Sequence, residues 1–389
     1  MATRRPSNRK EQIRTAADEL FLERGFRNVS VSDVADAVDI TPAALYHHYR
    51  NKRELLFAVV IERMHTLDTL LDSVDHLDDA LSALVTHVAG RDGIRTVSQR
   101  EIQSLDPQQQ AEFRAGRTDV AAKLVPMIKV QRPDLDQSGC ELIAQAILGV
   151  FASFGRHRIR LSLRKDAQFL LDLARVVSRA ALPAVDMADQ NLAESVAADS
   201  IDFGLRASRR DLLVAEAIRL FDSHGYQSVT MRDIGEAAGI VASGVYRHFS
   251  SKTELLVTAM GRGGDLMSSA TDRALAEARS PSEAVELLLR AHIDVAVEHD
   301  KLVRILTTER DELPLKERTA LRRLQADYQH IWIQALSTAR PDRDVTELKM
   351  TIHATHSMIQ MCARSDFDAA LPVLEERLTR LGMALLLDS

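Results

Sequence analysis

Residues 17–56 of this chain recur two hundred residues downstream, in the same register and without a gap. Ala17, Leu20, Phe21, Gly25, Val29, Asp33, Ala37, Ile40, Tyr46, His48, Lys52, Glu54, Leu55 and Leu56 are matched by Ala217, Leu220, Phe221, Gly225, Val229, Asp233, Ala237, Ile240, Tyr246, His248, Lys252, Glu254, Leu255 and Leu256. Chance would have to produce one spacing twice, so the repeat constrains the fold more than any single motif does. It continues at a new offset. Glu101 and Arg132-Pro-Asp134 return as Glu309 and Arg340-Pro-Asp342, 208 residues on, as Val97, Leu105 and Ile128 do as Ile305, Leu313 and Leu336. About eight extra residues therefore enter the second copy between its head and Ile305.

The local pattern inside the repeat is helical. Ile13, Ala17, Leu20 and Phe21 fall at helical spacing and Gly25 is placed to end that helix; Leu213, Ala217, Leu220, Phe221 and Gly225 do the same. Ser30-Val-Ser-Asp33 and Thr230-Met-Arg-Asp233 read as capping boxes that open a second helix. A tight turn follows at Asp39-Ile40 and Gly239-Ile240, where glycine tolerates a positive φ and aspartate does so less readily. Thr41-Pro42 is a cap followed by proline at the first position of a third helix. A fourth helix starts at Asn51-Lys-Arg-Glu54 and at Ser251-Lys-Thr-Glu254. This is a helix-turn-helix, present twice.

The bodies are predicted to be helical over 80–90, 108–130, 138–156 and 166–181, with counterparts in the second half. Residues 184–205 carry five acids and no base and are assigned as a linker. The expected division is a head at 1–56, a body at 57–183, the linker, a second head at 206–256 and a second body at 257–389. The fold class is all-α, two tandem units of head and body. Small residues Gly149, Ala152, Ser153 and Gly155 on one helix permit close helix–helix approach, for packing or for association.

Charge separates the two parts. The chain carries a net −6, yet residues 1–56 hold ten Lys+Arg against eight Asp+Glu and residues 206–256 hold seven against six. Mildly basic heads on acidic bodies suit a molecule that touches DNA with its heads and does not coat it. Cys140 and Cys362 are isolated, so neither a disulfide framework nor a Cys-rich metal site is indicated. No apolar run approaches the roughly 20 residues that span a bilayer, and Met1–Lys10 lacks the apolar stretch of a signal peptide. A cytoplasmic location without membrane contact is expected.

A recognition helix places its N-terminal residues at base edges and its flanks on phosphates. That puts Thr41, Ala43, Ala44 and His47 of the first head near bases, and Val241, Ser243, Gly244 and Arg247 of the second. Arg247 is the best candidate for a bidentate guanine contact, with phosphate as the competing target. Arg4-Arg5 and Arg9-Lys10 form a basic arm that either follows the duplex or stays solvated; Arg206, Arg209 and Arg210 occupy the equivalent place.

The blocks Phe21-Leu-Glu-Arg-Gly25-Phe26, Val34-Ala-Asp-Ala-Val38 and Leu45-Tyr-His-His-Tyr49-Arg-Asn-Lys52 resemble the DNA-binding domain of TetR-type transcriptional regulators. Phe221–Tyr226, Ile234–Ile240 and Val245-Tyr-Arg-His-Phe249-Ser-Ser-Lys252 resemble it again. The tandem layout is similar to actinobacterial regulators of mce-type lipid and sterol import operons. The resemblance implies a repressor of transcription with a double-stranded DNA operator and a small hydrophobic effector, sterol- or acyl-CoA-like. It assigns Tyr46, His48, Lys52, Tyr246, His248 and Lys252 to phosphate contacts, with Tyr46 and Tyr246 as core aromatics in the competing reading. Two departures stand out: Val241 replaces the usual hydroxyl at its helix start, and Asp39 the usual turn glycine.

By the same resemblance an effector cavity opens in the bodies. Its candidate lining is Phe113, Met127, Phe151 and Phe154 in the first half and Met260, Met267, Tyr328, Trp332, Met358 and Met361 in the second, with plain core as the alternative for all of them. Other classes are less well served. His353-Ala-Thr-His356 could present two imidazoles to a metal, but no third ligand stands at a telling spacing. Phosphate loops, nucleophile elbows and paired catalytic carboxylates do not stand out, so neither an enzyme nor a cofactor is expected. Glu101 and Glu309 recur, and a buried structural carboxylate paired with Arg100 or Arg310 explains them as well as catalysis does. An architectural DNA protein would want broad positive charge, which these bodies lack. Heads with equal phosphate grips and unequal base-facing sets predict a non-palindromic operator bound by one chain, its halves packed as an internal pseudo-dimer; a homodimer of tandem chains is the alternative.

Overall fold

The computed structural model describes residues 9–89, 102, 105–153, 163–183, 208–365 and 371–389; the expected linker lies outside them. Every regular element among the described residues is helical. They fall into two compact units, Met1–Leu124 and Val125–Ser389.

In the first unit, α1 (Arg9–Arg24), α2 (Val31–Ala37) and α3 (Pro42–Tyr46) precede α4 (Lys52–Asp72), α5 (Leu77–Ala89) and most of α6 (Pro107–Gln131), whose last residues belong to the second unit. Sequence chemistry sets these boundaries. Gly25 at φ 82° breaks α1 and starts a 3₁₀ turn, Phe26–Asn28, that brings Phe26 edge-on to Phe21 at 5.2 Å. Ser30 and Asp33 close a reciprocal capping box on α2, Thr41 Oγ1 accepts from the Ala44 amide at 3.2 Å, and Asn51 caps α4. Asp39 adopts φ 53°, so the left-handed turn between α2 and α3 forms without glycine. Ile13, Ala17, Val34, Leu45, Tyr49, Leu55 and Leu56 bury together as the core of the head.

The second unit repeats the head as α9 (Arg209–His224), α10 (Met231–Ala237), α11 (Ala242–Val245) and the start of α12 (Lys252–Glu277). Gly225 and Gly239 carry φ 76° and 65°, and Thr230–Asp233 form the second capping box. Val241, three-quarters exposed, has no side-chain oxygen to offer α11, whose Gly244 amide bonds the Val241 carbonyl instead at 2.7 Å. Val241→Thr is expected to stabilise the second head by about 1 kcal/mol by restoring the cap; an unshifted denaturation midpoint would show that α11 is held by other contacts.

After that head come α13 (Pro281–Glu298), α14 (Asp300–Thr308), α15 (Leu315–Ala339), α16 (Val345–Cys362) and α17 (Leu371–Met383), the last running into a π-helical end at Ala384–Asp388. The same unit holds α7 (Gln137–Ser153) and α8 (Leu163–Arg179). The starts of α6 and α15 and of α7 and α16 are 208 residues apart, so the body repeat seen in sequence is a structural one. The Arg-Pro-Asp recurrence acquires a purpose. Arg132 Nη1 donates to the carbonyls of Ser178 and Ala180 at 3.3 and 2.8 Å, and Arg340 Nη1 donates likewise to Leu386 and Leu387. Each arginine satisfies carbonyls that the end of a helix leaves without amide partners.

The α7 helix packs along α16 and is buried over most of its circumference, as its apolar sequence demands. Gly149 marks the closest approach: a Cβ there would stand 2.6 Å from Met358 Cα. An ion pair ties α17 to the start of α7. Arg377, 2% exposed, donates through Nη2 to both Asp136 oxygens at 2.9 and 3.1 Å, through Nη1 to Ser138 Oγ at 3.3 Å and through Nε to the Pro183 carbonyl at 3.4 Å.

Candidate nucleic-acid interface

Each recognition helix is short and fixed from behind. Leu45 and Tyr49 in the first head, and Val245 and Phe249 in the second, are buried anchors. A basic residue from the start of each head stacks on the second anchor: Lys10 Nζ lies 5.4 Å from the Tyr49 ring centroid and the Arg210 guanidinium 4.5 Å from that of Phe249. Tyr49 also donates its hydroxyl proton to the Lys10 carbonyl, and Arg9 donates to the Val38 carbonyl at the end of α2. Arg9, Lys10 and Arg210 thus pack on the head, while Arg4, Arg5 and Arg206 lie outside the described residues.

The opposite side of each helix is open. Thr41, Ala43, Tyr46 and His47 are exposed, and so are Val241, Ser243, Tyr246 and Arg247. The two tyrosines expose 51% and 57% of their surface, which excludes the core-aromatic reading and leaves both phenols available to a ligand. His48 and His248 are half-buried at matching places. Gly244 differs from the base-facing expectation: a Cβ there would meet Ile240 Cγ2 at 2.8 Å, so this position packs against the turn. Ala44, its counterpart, is half-buried.

The lysines have a second task that the sequence did not reveal. Lys252 Nζ donates to the carbonyls of Tyr226, Gln227 and Val229 at 2.7, 3.3 and 2.8 Å and stands 4.3 Å from the Tyr226 ring centroid. Lys52 lies over Phe26 at 4.2 Å in the same way. All three ammonium protons of Lys252 are used within the head, and burial draws its pKa down. A phosphate contact from Lys252 would have to displace a carbonyl, so the residue first of all ties the N-terminus of α12 to the 3₁₀ turn after α9. Arg247 has no such tether, which makes it the better probe of reading. Arg247→Ala is expected to relax preference at one base position by about 1–3 kcal/mol, seen in a binding-site selection. An unchanged motif would assign Arg247 to the phosphates.

The body residues separate into groups. Phe113 packs half-buried on the first head's core and Met260 belongs to the second head's core. Met267 packs with Ala270, Val295 and Val303. Met358 and Met361 face Gly149 of α7. Phe151 is buried on α7, Met127 is half-buried on α6, and Phe154 lies outside the described residues. Tyr328 and Trp332 do come together, in a ring cluster with His292 and His356 that the sequence had not indicated. Glu309 is buried at the end of α14, where its charge acts on Lys252, whereas Arg310 contacts Asp311 and Gln325. Among the described residues no group of three His, Cys, Asp or Glu is arranged to hold a metal, and no helix is long and apolar enough to cross a membrane.

Comparison with known proteins agrees with the repeated geometry. Residues 13–59 and 213–259 match the family described as bacterial regulatory proteins, tetR family, and residues 278–365 match a tetracyclin repressor-like C-terminal domain. The HTH-type transcriptional repressor KstR2 of Mycolicibacterium smegmatis is 34% identical over 93 residues, 24% of this chain and 45% of that protein. The putative mycofactocin biosynthesis transcriptional regulator MftR of Mycobacterium tuberculosis is 32% identical over 131 residues, 31% of this chain and 66% of that protein. The chain thus spans between about half and two thirds of the length of these relatives. The solved structure of the ketosteroid transcriptional regulator KstR2 of Mycobacterium tuberculosis aligns with 46% of this chain and 93% of its own, at 23% identity and a TM-score of 0.42. Two family-matched heads, each with a capping box on its second helix and a left-handed turn before its third, place this chain in the TetR family of bacterial regulatory proteins.

Proposed function

We propose that this chain is a non-enzymatic transcriptional repressor that reads an asymmetric operator with its two heads and is released by a small hydrophobic effector. The observation that carries this reading is the pair of exposed recognition surfaces with matching Tyr/His elements and different base-facing residues, Thr41, Ala43 and His47 against Val241, Ser243 and Arg247. A two-fold homodimer with identical surfaces reads a palindrome; unlike surfaces in one chain read unlike half-sites about 34–36 Å or a multiple apart. The packing of α7 on α16 and the buried Arg377–Asp136 pair support a built-in pair of halves, and so a single chain per operator.

Effector response has a mechanical route in the second unit. The α14 helix touches both α13 and the head helix α9, where Arg304 forms a forked ion pair with Asp222. A ligand that moves α13 and α14 shifts the second head, and weakens operator binding by its differential affinity for the two states. Native mass measurement of the operator complex, with footprinting, tests the reading. One chain on a non-palindromic site is expected; two chains on an inverted repeat would replace it with a homodimer of tandem chains.

A further inference from the structure

The ring cluster of the second body contains two buried ring nitrogens without a hydrogen-bond partner among the described residues, His292 Nε2 and Trp332 Nε1, of which the histidine is the one whose tautomer its neighbours set. His292 on α13 and His356 on α16 stack at 4.1 Å and 17°, Tyr328 lies nearly parallel to both, and Trp332 stands edge-on to His356 at 4.9 Å. His292 is 4% exposed. Its Nδ1 is 2.8 Å from the Tyr328 hydroxyl, and its Nε2 has no hydrogen-bond partner among the described residues. An orphaned polar atom in a protein interior forfeits its hydration, and proteins rarely leave one without a purpose.

The internal repeat acts as a control. The positions 208 residues before Tyr328, Trp332 and His356 are Val120, Leu124 and Leu148. Val120 and Leu124 are buried aliphatic core. A TetR-type body therefore packs at these positions without any polar group, and the second half has replaced aliphatics by hydrogen-bonding rings. Stability alone does not favour that exchange.

The chemistry of the cluster specifies what it can receive. Burial lowers His292 to about 4, and no charged side chain contributes to that shift, so the imidazole is neutral near pH 7. Phenol is the better donor and a neutral imidazole nitrogen the better acceptor, so Tyr328 donates to Nδ1 and the ring proton resides on Nε2. The unpaired atom is then an N–H donor in apolar surroundings. A charged group placed beside it would lose its hydration without a counter-charge.

We propose that the second body binds one uncharged, largely apolar ligand per chain, whose carbonyl oxygen accepts a hydrogen bond from His292 Nε2–H, and that the first body has no equivalent site. This rests on the effector-released reading above and narrows its ligand to neutral carbonyl compounds. Trp332 is the sole tryptophan, so its emission reports on the cluster directly.

The full chain is titrated with 2-decanone, decane and decanoate while Trp332 emission and operator affinity are followed. The ketone is expected to shift the emission and to bind at least tenfold more tightly than the hydrocarbon or the anion. His292→Leu should lose that tenfold preference, and His292→Gln, which keeps an N–H donor, should recover part of it. Equal binding of ketone and alkane, tighter binding of the anion, no binding of any probe, or an unaltered preference in His292→Leu each overturns the proposal. Should His292→Leu fail to fold, Tyr328→Phe, which removes the partner of Nδ1, is expected to weaken the ketone preference, and an unchanged preference there overturns it too. Ketone binding that depends on His292 but leaves operator affinity untouched would uphold the site and remove the effector-release reading.

Discussion

Arg377→Ala is expected to destabilise the Val125–Ser389 unit by about 3 kcal/mol, a large fraction of the stability of an ordinary domain. The guanidinium is almost wholly buried and all three of its nitrogens are engaged, on Asp136, Ser138 and the Pro183 carbonyl. Truncation removes the cation, leaves the half-buried Asp136 without its counter-charge and opens a void beside α7. The cost falls below that of an entirely buried pair, because the Asp136 side chain is 43% exposed and recovers some hydration.

The pH dependence of this effect has a definite sign. Burial raises the Asp136 pKa, but the hydrogen bonds from Arg377 and from the Gly139 amide outweigh it, and the carboxyl is held below its ordinary 3.8. A depressed carboxylate stabilises the fold above its unfolded pKa and loses that contribution as pH falls through the folded one. The difference between the native chain and Arg377→Ala should therefore be full at neutral pH and shrink below about pH 3.8. Urea unfolding at both extremes measures it. A difference independent of pH would assign the whole effect to lost packing.

This pair also breaks the internal symmetry. The residues 208 positions from Asp136 and Arg377 are Asp344 and Phe169. Asp344 caps α16 by accepting from the Thr346 amide, and an aromatic stands where a second arginine would be needed. The joint between the halves is keyed on one side only, which distinguishes them as a symmetric dimer could not be distinguished.

What the sequence displayed and what it concealed follow from the range of the interactions. Caps and turns act over three or four residues, so Ser30–Asp33, Thr230–Asp233 and the positive φ at Asp39 and Gly239 were legible from local spacing. The body repeat was legible because both copies keep the 208-residue offset through α6 and α15 and through α7 and α16. Arg377 was not, since its partner lies 241 residues away and the repeat supplies no second example. Lys252 resembled a phosphate ligand because nothing local shows that a 3₁₀ turn will offer it three carbonyls. Met260 and Met358 carried two readings, cavity lining and plain core, because a methionine fills whichever interface its helix happens to face. His292 escaped notice because a single histidine on an apolar helix carries no signal until Tyr328 and His356 are brought to it.

Gly149→Leu is expected to have the other large effect, about 3 kcal/mol, the upper end of what overpacking costs, by forcing apart two helices that meet at backbone distance. Glycine is not needed here for its φ; it is needed for the space. A Cβ would stand 2.6 Å from Met358 Cα, 3.2 Å from Met358 N and 3.1 Å from Met361 Cβ. Two of those three atoms are main chain, so no rotamer change relieves the contact and α7 must move bodily from α16. Even alanine should be felt, at a smaller cost set by how far the helices can separate. Ser357, which occupies the repeat position of Gly149, gives the comparison that isolates the cause. Ser357→Ala changes a buried side chain on the same pair of helices without adding a Cβ, and is expected to cost less than Gly149→Leu. Chemical denaturation of the three variants measures the order. If Gly149→Leu were tolerated as well as Ser357→Ala, the close approach of α7 and α16 would not be a determinant of this fold.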